Sequence, residues 1–211
     1  MSNGPRDVAK IALTFDMGGR VDPALAIMDW LEANSVRATI FMTGAIVRNV
    51  NTDAGRQVLG RIAARPDLFD IANHSDTHPD FTTIPASEMV AELAAAEREV
   101  ARFLKASPRP FFRPPFGAQD ADVVAGAAKA GYPVTVMWDV DTIDWRPESE
   151  GGPTANEIVT KVLAQAKAGS IVLMHLGGYN TLDALPRIVA GIKERGLQPV
   201  TLSDLLGVPQ D

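Results

Sequence analysis

The sequence predicts an α/β fold, a distorted and incomplete (β/α)7 barrel. Short apolar runs rich in β-branched residues alternate with longer segments in which apolar residues recur at helical spacing. This alternation is typical of a parallel sheet, because each helix returns the chain to the start of the next strand. Seven repeats are one unit short of a closed barrel of eight. We expect residues 1–211 to form a single domain.

The predicted strands are short apolar runs that stop at polar or small residues. The first stops at Asp16, the third leads directly to His74, and the sixth leads to His175. The seven strands are predicted over residues 10–15, 37–42, 68–72, 110–112, 134–138, 171–174 and 198–202.

The predicted helices are recognised by their ends and by their apolar faces. Asp22 is expected to cap the first helix, with Pro23 in its first turn. Thr154 and Glu157 have the spacing of a capping box, and Gly169 is expected to end that helix. The other helices are predicted over residues 52–64, 86–105, 120–130 and 182–195, and the second of these includes Phe103 on its apolar stripe.

Composition excludes several classes of function. Hydrophobic residues make up 46% of the chain and charged residues 22%, as in globular proteins. The net charge of −6 and the lack of a basic stripe argue against a nucleic-acid partner. The absence of cysteine excludes disulfides, thiolate metal sites and a cysteine nucleophile. No apolar run is long enough to cross a bilayer, and the first residues lack the apolar core of a signal peptide.

The three histidines are the first indication of chemistry. His74 and His78 are four residues apart, so both imidazoles can face one divalent cation if the segment turns like a helix. Histidine pairs at this spacing also occur on solvated helices. His175, the third, follows a buried strand.

Polar residues recur where the predicted strands end. Besides the histidines, Asp16, Arg113 and Asp144 lie at or soon after such an end. Active sites of parallel barrels lie at this rim, so these side chains are expected to meet in one pocket. The alternative is that charged residues follow strands only because loops are polar.

Five short motifs, in order along the chain, carry a family resemblance. They are TFDMG at residues 14–18, HSDTH at 74–78, RPPF at 113–116, DTIDW at 141–145 and LMH at 173–175. With these motifs the chain resembles the polysaccharide deacetylases of carbohydrate esterase family 4, also called the NodB-homology domain. That family has a distorted (β/α) barrel.

The resemblance implies hydrolysis of acetyl groups from N-acetylated sugars of a polysaccharide, either chitin-like oligomers or peptidoglycan. It implies a divalent metal on His74 and His78, with zinc expected and cobalt, manganese or nickel as alternatives. Asp16 matches the general base and Arg113 the residue that pairs with it. His175 matches the general acid, and Asp144 matches the carboxylate that steadies it and raises its pKa.

The substrate-binding positions implied by the resemblance are Leu173, Trp145 and Phe116. Leu173 matches a wall for the acetyl methyl group, and Trp145 is expected to line the sugar groove, with core packing as the alternative for both. Asp139 and Asp141 are interpreted as solvated loop carboxylates. The resemblance also favours a secreted or cell-surface location.

Met17 departs from the family pattern. The family usually has a second aspartate there as third metal ligand, whereas a thioether is a poor ligand for zinc. Three outcomes are open: a metal on two histidines and waters, Asp16 drawn into the coordination sphere, or an empty site. We expect a bound metal of lower affinity. Two further functions stay open: an O-acetyl esterase acting on xylan, and a non-catalytic sugar-binding domain disabled at Met17.

Overall fold

The structure is a computed structural model that describes residues 1–210, so Asp211, the last residue of the predicted domain, lies outside the described residues. Strands and helices alternate along the chain as expected. The strands are β1 (Lys10–Met17), β2 (Ala38–Met42), β3 (Phe69–Asn73), β4 (Phe111–Phe112), β5 (Val134–Thr135), β6 (Val140–Asp141), β7 (Ile171–His175) and β8 (Gln198–Val200). The helices are α1 (Ala24–Ala33), α2 (Gly44–Arg48), α3 (Ala54–Ala64), α4 (Ala86–Ala101), α5 (Ala121–Lys129), α6 (Ala155–Gln165), α7 (Thr181–Glu194) and α8 (Leu202–Leu206).

The strands form one parallel, curled sheet. Seven of them follow the order β5-β4-β3-β2-β1-β7-β6, and β8 pairs with the first residues of β1. A flat sheet of seven strands would hold its edges about 29 Å apart, at about 4.8 Å per strand. The five steps from Thr135 to Val140 span at most about 18 Å, so the sheet must curl to bring its edges together. The incomplete (β/α)7 barrel is therefore confirmed.

The strand predicted over residues 134–138 is present only at Val134–Thr135, because the chain leaves this edge of the sheet soon after and reaches the other edge at Asp139. Val136 still donates its N–H to Phe112 O at 2.8 Å, next to β4. Asp139 already donates to Ile171 O at 3.2 Å, next to β7. The chain thus crosses the open side of the barrel within a few residues, a step that hydrophobic periodicity cannot reveal.

Strand β1 lies between two apolar clusters, one outside and one inside the barrel, and carries the first site residue, Asp16. Its alternate residues Leu13, Phe15 and Met17 pack in the apolar cluster between the sheet and the helices. Ala12 belongs to the inner cluster of the barrel. Because side chains alternate along a strand, Asp16 points to the interior side, opposite Met17.

Three predicted helix ends are wrong. Pro23, not Asp22, occupies the N-cap of α1 without a side-chain cap, and the Asp22 carboxylate accepts a hydrogen bond from Arg20 instead. The capping box of Thr154 is present, but α6 ends at Gln165, and Gly169 lies in a turn before β7 with φ of 76°. Helix α4 ends before Phe103, which is 45% exposed rather than packed on the stripe.

Helix α2 has no counterpart in the sequence prediction. It has only five residues and follows β2 directly, capped by the Thr43 side chain, which accepts a hydrogen bond from Ile46 N. A segment this short carries too little periodicity to be recognised. No helix within residues 1–210 has both the length and the apolar character needed to cross a membrane.

Candidate active site

A cavity of about 610 Å³ opens at the carboxyl ends of the strands. Seven of the nine predicted site residues line it: Asp16, His74, His78, Phe116, Trp145, Leu173 and His175. The other two, Arg113 and Asp144, are fully buried behind its wall. The curled sheet thus brings together side chains that lie far apart in sequence.

Asp16 and Arg113 form a buried ion pair beside the cavity. Arg113 Nη1 donates to Asp16 Oδ1 at 2.6 Å, and Arg113 Nη2 donates to Thr14 Oγ1 at 2.9 Å. The guanidinium carbon also lies 4.1 Å from the centroid of the Phe41 ring. Arg113 therefore occupies one oxygen of the Asp16 carboxylate and leaves the other, Oδ2, unoccupied by this guanidinium.

Opposing effects set the protonation state of Asp16. Burial alone would raise the pKa of its carboxyl group, but the Arg113 guanidinium and the imidazoles of His74 and His175 outweigh burial. The pKa of Asp16 is lowered below its ordinary value, so the carboxylate is ionised at neutral pH.

His74 presents one ring nitrogen to the cavity. Its Nδ1 lies 2.8 Å from the Arg113 carbonyl oxygen, which can only accept, so Nδ1 carries the proton. Nε2 then has a free lone pair, and it lies 3.5 Å from Asp16 Oδ2. Burial lowers the pKa of His74, which keeps the ring neutral.

His78 lies next to His74 at the edge of the cavity. Their ring centroids are 4.9 Å apart in an edge-to-face arrangement, and the Phe116 ring covers His78 at 4.6 Å. Burial, together with the neighbouring imidazole, lowers the pKa of His78 to about 4. Gly18 makes this packing possible, because a Cβ there would lie 3.1 Å from the His78 ring.

His175 and Asp144 form the second polar pair. His175 Nδ1 donates to Asp144 Oδ1 at 2.7 Å, and the His175 backbone N–H donates to Asp144 Oδ2 at 2.9 Å. The Thr181 hydroxyl donates to the same carboxylate. Burial alone would lower the pKa of His175, but the hydrogen bond and charge of Asp144 outweigh burial and raise it above its ordinary value. The ring thus holds a proton to higher pH, and its Nε2 is left for the cavity.

Apolar side chains complete the walls and rim. Leu173 is buried and lines the cavity. Trp145 and Phe116 are 55% and 71% exposed at the rim. Packing in the core, the alternative considered for Trp145, is therefore wrong. Exposed aromatic rings beside a cavity are suited to contact with a ligand.

Two imidazoles, those of His74 and His78, are available as metal ligands, but a complete set of three ligands is not found within residues 1–210. Within residues 1–210, no group of three or more His, Asp or Glu residues is arranged to hold a metal ion. Met17 is 1% exposed and packs in the outer apolar cluster, away from the cavity. Asp16 Oδ2 is the carboxylate oxygen nearest His74 Nε2, at 3.5 Å.

Several residues around the site were not found from the sequence, or were assigned otherwise. Asp141, interpreted as a solvated carboxylate, lines the cavity. Asp139 is not a simple loop carboxylate either, because it accepts hydrogen bonds from Ile171 N and Ser170 Oγ between β6 and β7. Arg20 and Trp138 also line the cavity. Trp138 was predicted only as the end of a strand, and Arg20 lies just outside the first motif, so neither was recognised as a site residue.

Comparison with known proteins places the chain among carbohydrate deacetylases. It is 30% identical over 207 residues to the peptidoglycan-N-acetylglucosamine deacetylase of Bacillus cereus, covering 96% of this chain and 70% of the relative. The fold matches the crystal structure of the Bc1960 peptidoglycan N-acetylglucosamine deacetylase with a TM-score of 0.86 and 28% identity, over 100% of this chain and 94% of the other.

A second structural neighbour is inactive. The carbohydrate esterase family 4 pseudoenzyme BA3943 from Bacillus anthracis matches with a TM-score of 0.83 and 26% identity, over 99% of this chain and 69% of the other. A mutant of that pseudoenzyme has restored enzymatic activity. Residues 3–135, more than half of the chain, match the polysaccharide deacetylase family. The chain belongs to the polysaccharide deacetylase family, carbohydrate esterase family 4.

Proposed function

We propose that the protein is a metal-dependent hydrolase that removes acetyl groups from the N-acetylated sugars of a polysaccharide. The observation that carries the proposal is the meeting of two differently tuned polar pairs, Asp16–Arg113 and His175–Asp144, at one cavity with two neutral imidazoles. One pair holds an ionised base and the other favours a protonated acid. Amide hydrolysis needs both at once.

His74 and His78 are the residues that would hold the metal. Both rings are kept neutral by burial, as metal ligands must be, and the Arg113 carbonyl fixes the tautomer of His74 so that Nε2 is free. The donor set fits a weakly held cation, zinc in the first place, because no third protein ligand is in position among residues 1–210. When bound, the cation supplies Lewis acidity that polarises the acetyl carbonyl and acidifies water.

Asp16 acts as the general base. Its Oδ1 is occupied by Arg113, so Oδ2, on the His74 side, is the oxygen that takes a proton from the attacking water. The lowered pKa keeps this oxygen ionised at neutral pH. The Arg113 side chain is fully buried. Its role is therefore to hold the Asp16 carboxylate in place.

His175 acts as the general acid. An amine leaves only when its nitrogen receives a proton, and the Nε2 of His175 is the donor that Asp144 leaves available. Water and the amide thus give a carboxylic acid and an amine, with one proton taken at Asp16 and one supplied at His175. Leu173 bounds the space for the acetyl methyl group, and Phe116 and Trp145 offer apolar faces to the sugar.

Release of acetate from N-acetylglucosamine oligomers tests the proposal. We expect activity that disappears on exhaustive chelation and returns with Zn²⁺. D16N is the matched inactive control, with kcat lowered about 100- to 10,000-fold because it removes only the base. Activity unchanged by metal removal would contradict the metal-dependent part. Acetylated xylan as substrate separates the O-acetyl esterase alternative, since an alcohol leaves with less help from His175.

A non-catalytic sugar-binding role is the second candidate, and one observation favours it. Met17 lies in the core where the family usually has a metal ligand, and a related pseudoenzyme shares the fold. Binding of oligomers in calorimetry, with equal affinity in wild type and D16N and no acetate released with any divalent metal, is the result this alternative predicts.

A further inference from the structure

The turn that joins the two candidate metal ligands has a disfavoured backbone. Ser75 and His78 both lie in the left-handed region, with φ of 69° and 65°. Side chains other than glycine rarely adopt this conformation, and it persists only where surrounding contacts impose it. Residues outside the turn must therefore hold residues 74–78 in shape.

The two histidines differ in how they are anchored. The His74 ring is fixed directly, by its Nδ1 hydrogen bond to the Arg113 carbonyl at 2.8 Å. Within residues 1–210, neither ring nitrogen of His78 makes a hydrogen bond to another residue, and the ring packs against His74 and Phe116. The position of the His78 ring is thus set by its own backbone.

Glu92, on helix α4, holds that backbone from outside. Its Oε2 accepts the N–H of Asp76 at 2.9 Å and the N–H of Thr77 at 2.7 Å, and its Oε1 accepts the Thr77 hydroxyl at 2.7 Å. Hydrogen bonds to an ionised carboxylate are stronger than neutral ones. All three point to the turn between the histidines, and no cation within residues 1–210 pairs with Glu92 instead.

Other contacts also support this turn, but none of them binds the N–H groups that Glu92 binds. Arg48 of α2 binds the Asp76 carboxylate through two hydrogen bonds, at 2.5 and 2.9 Å. Ser75 Oγ accepts the N–H of His78 at 3.0 Å. From outside the turn, Gly44 N and Ala45 N of α2 donate to the carbonyl oxygens of Ser75 and Asp76 at 3.1 and 2.9 Å. Glu92 is the side chain that binds the main-chain N–H groups immediately before His78.

We propose that Glu92 is a positioning residue that sets the His78 imidazole at the cavity by binding the backbone of Asp76 and Thr77. The inference rests on the proposed function, in which His78 holds the metal. Groups that orient metal ligands from behind are typically worth about 10–100-fold in metal affinity. Loss of Glu92 should therefore weaken the metal site without touching metal or substrate.

Three variants test this role: E92A, E92Q and the control E88Q. E92A removes all three hydrogen bonds, whereas E92Q keeps an oxygen for the two N–H groups but loses the charge. Glu88 is an exposed glutamate in the first turn of the same helix, so E88Q makes the same charge change away from the histidine turn.

The measurements are Zn²⁺ affinity by calorimetry, the visible spectrum of the Co²⁺ form, and kcat and KM on N-acetylglucosamine oligomers. We expect E92A to weaken Zn²⁺ binding about 10–100-fold and to change the Co²⁺ spectrum, with E92Q between E92A and wild type. We expect kcat to fall while KM is retained, and E88Q to match wild type.

Unchanged Zn²⁺ affinity and kcat in E92A, with only a lower melting temperature, would overturn the inference, because Glu92 would then serve stability alone. The proposed function fails separately. A wild-type protein that neither binds Zn²⁺ nor releases acetate removes the metal role of His78, and this inference falls with it.

Discussion

Arg113 Nη1 donates to Asp16 Oδ1 at 2.6 Å, and both side chains of this ion pair are buried. Removing one partner of such a pair leaves a buried charge without compensation. We expect R113M to lower the free energy of unfolding at pH 7 by about 3–5 kcal/mol. Urea denaturation followed by circular dichroism measures this change.

The sign of the pH dependence follows from the direction of the pKa shift. Asp16 has a folded pKa below its unfolded value, so its stabilisation is present above the unfolded value and is lost as pH falls through the folded one. In R113M, burial is unopposed by this cation and raises the pKa of Asp16. The loss of unfolding free energy in R113M, relative to wild type, should therefore be large at pH 7 and become smaller toward pH 4.

R65M is the control for this experiment. Arg65 binds Asp67 on the surface, where both side chains are well exposed and solvent screens the pair. We expect no measurable change in its unfolding. A deficit of R113M that is the same at both pH values would show that lost packing on Phe41, not the Asp16 charge, is the cause.

The pair of His175 and Asp144 predicts the alkaline limb of the pH–rate profile. Asp144 raises the pKa of His175 above its ordinary value, so the protonated acid persists to higher pH and is lost as pH rises through the folded pKa. In D144N the burial effect dominates and lowers that pKa. We expect the alkaline limb of kcat for acetate release to move to lower pH.

Two further variants serve as controls for D144N: D183N and T181V. Asp183 is an exposed carboxylate in the first turn of α7, so its loss should leave the limb in place. T181V removes one hydrogen bond to Asp144 but keeps the charge, so its limb should move less than that of D144N. A uniform fall of kcat in D144N at every pH would contradict the assignment of His175 as the acid.

The sequence predicted the barrel well because each strand was a separate apolar run with a helix behind it. The predicted fifth strand was too long, because the chain crosses to the other edge of the sheet after β5, and α2 was missed because it is too short to show a period. Asp16, His74, Arg113 and His175 were recognisable because they lie at or just after strand ends, and His78 because of its spacing from His74. Glu92 was not, because it acts on the backbone of a distant turn, and no residue type or spacing encodes such a contact.

Trp145 predicts the strength of sugar binding. Its side chain is 55% exposed at the rim, so W145A removes an apolar face without opening the core. We expect KM for N-acetylglucosamine oligomers to rise about fivefold, equivalent to ~1 kcal/mol, with the melting temperature unchanged. F103A is the control, because Phe103 is an exposed aromatic residue that does not line the cavity. Equal KM values in W145A and wild type would contradict a substrate contact.

Replacing Met17 by aspartate is expected to strengthen Zn²⁺ binding. Its side chain packs among apolar residues on the outer face of β1, so M17D places a carboxylate there that is unpaired unless it turns toward His74 and His78. In metal-free protein we expect M17D to cost about 3 kcal/mol of stability, as for other unpaired buried charges. Added Zn²⁺ should recover most of that loss and bind more tightly than to wild type, since a hard anionic oxygen joins two imidazoles. Calorimetric titration and melting curves with and without Zn²⁺ measure both effects.

M17L, which keeps the apolar contact, should cost less than about 1.5 kcal/mol and leave the Zn²⁺ affinity unchanged. If M17D is destabilised and Zn²⁺ recovers nothing, position 17 cannot reach the histidine pair.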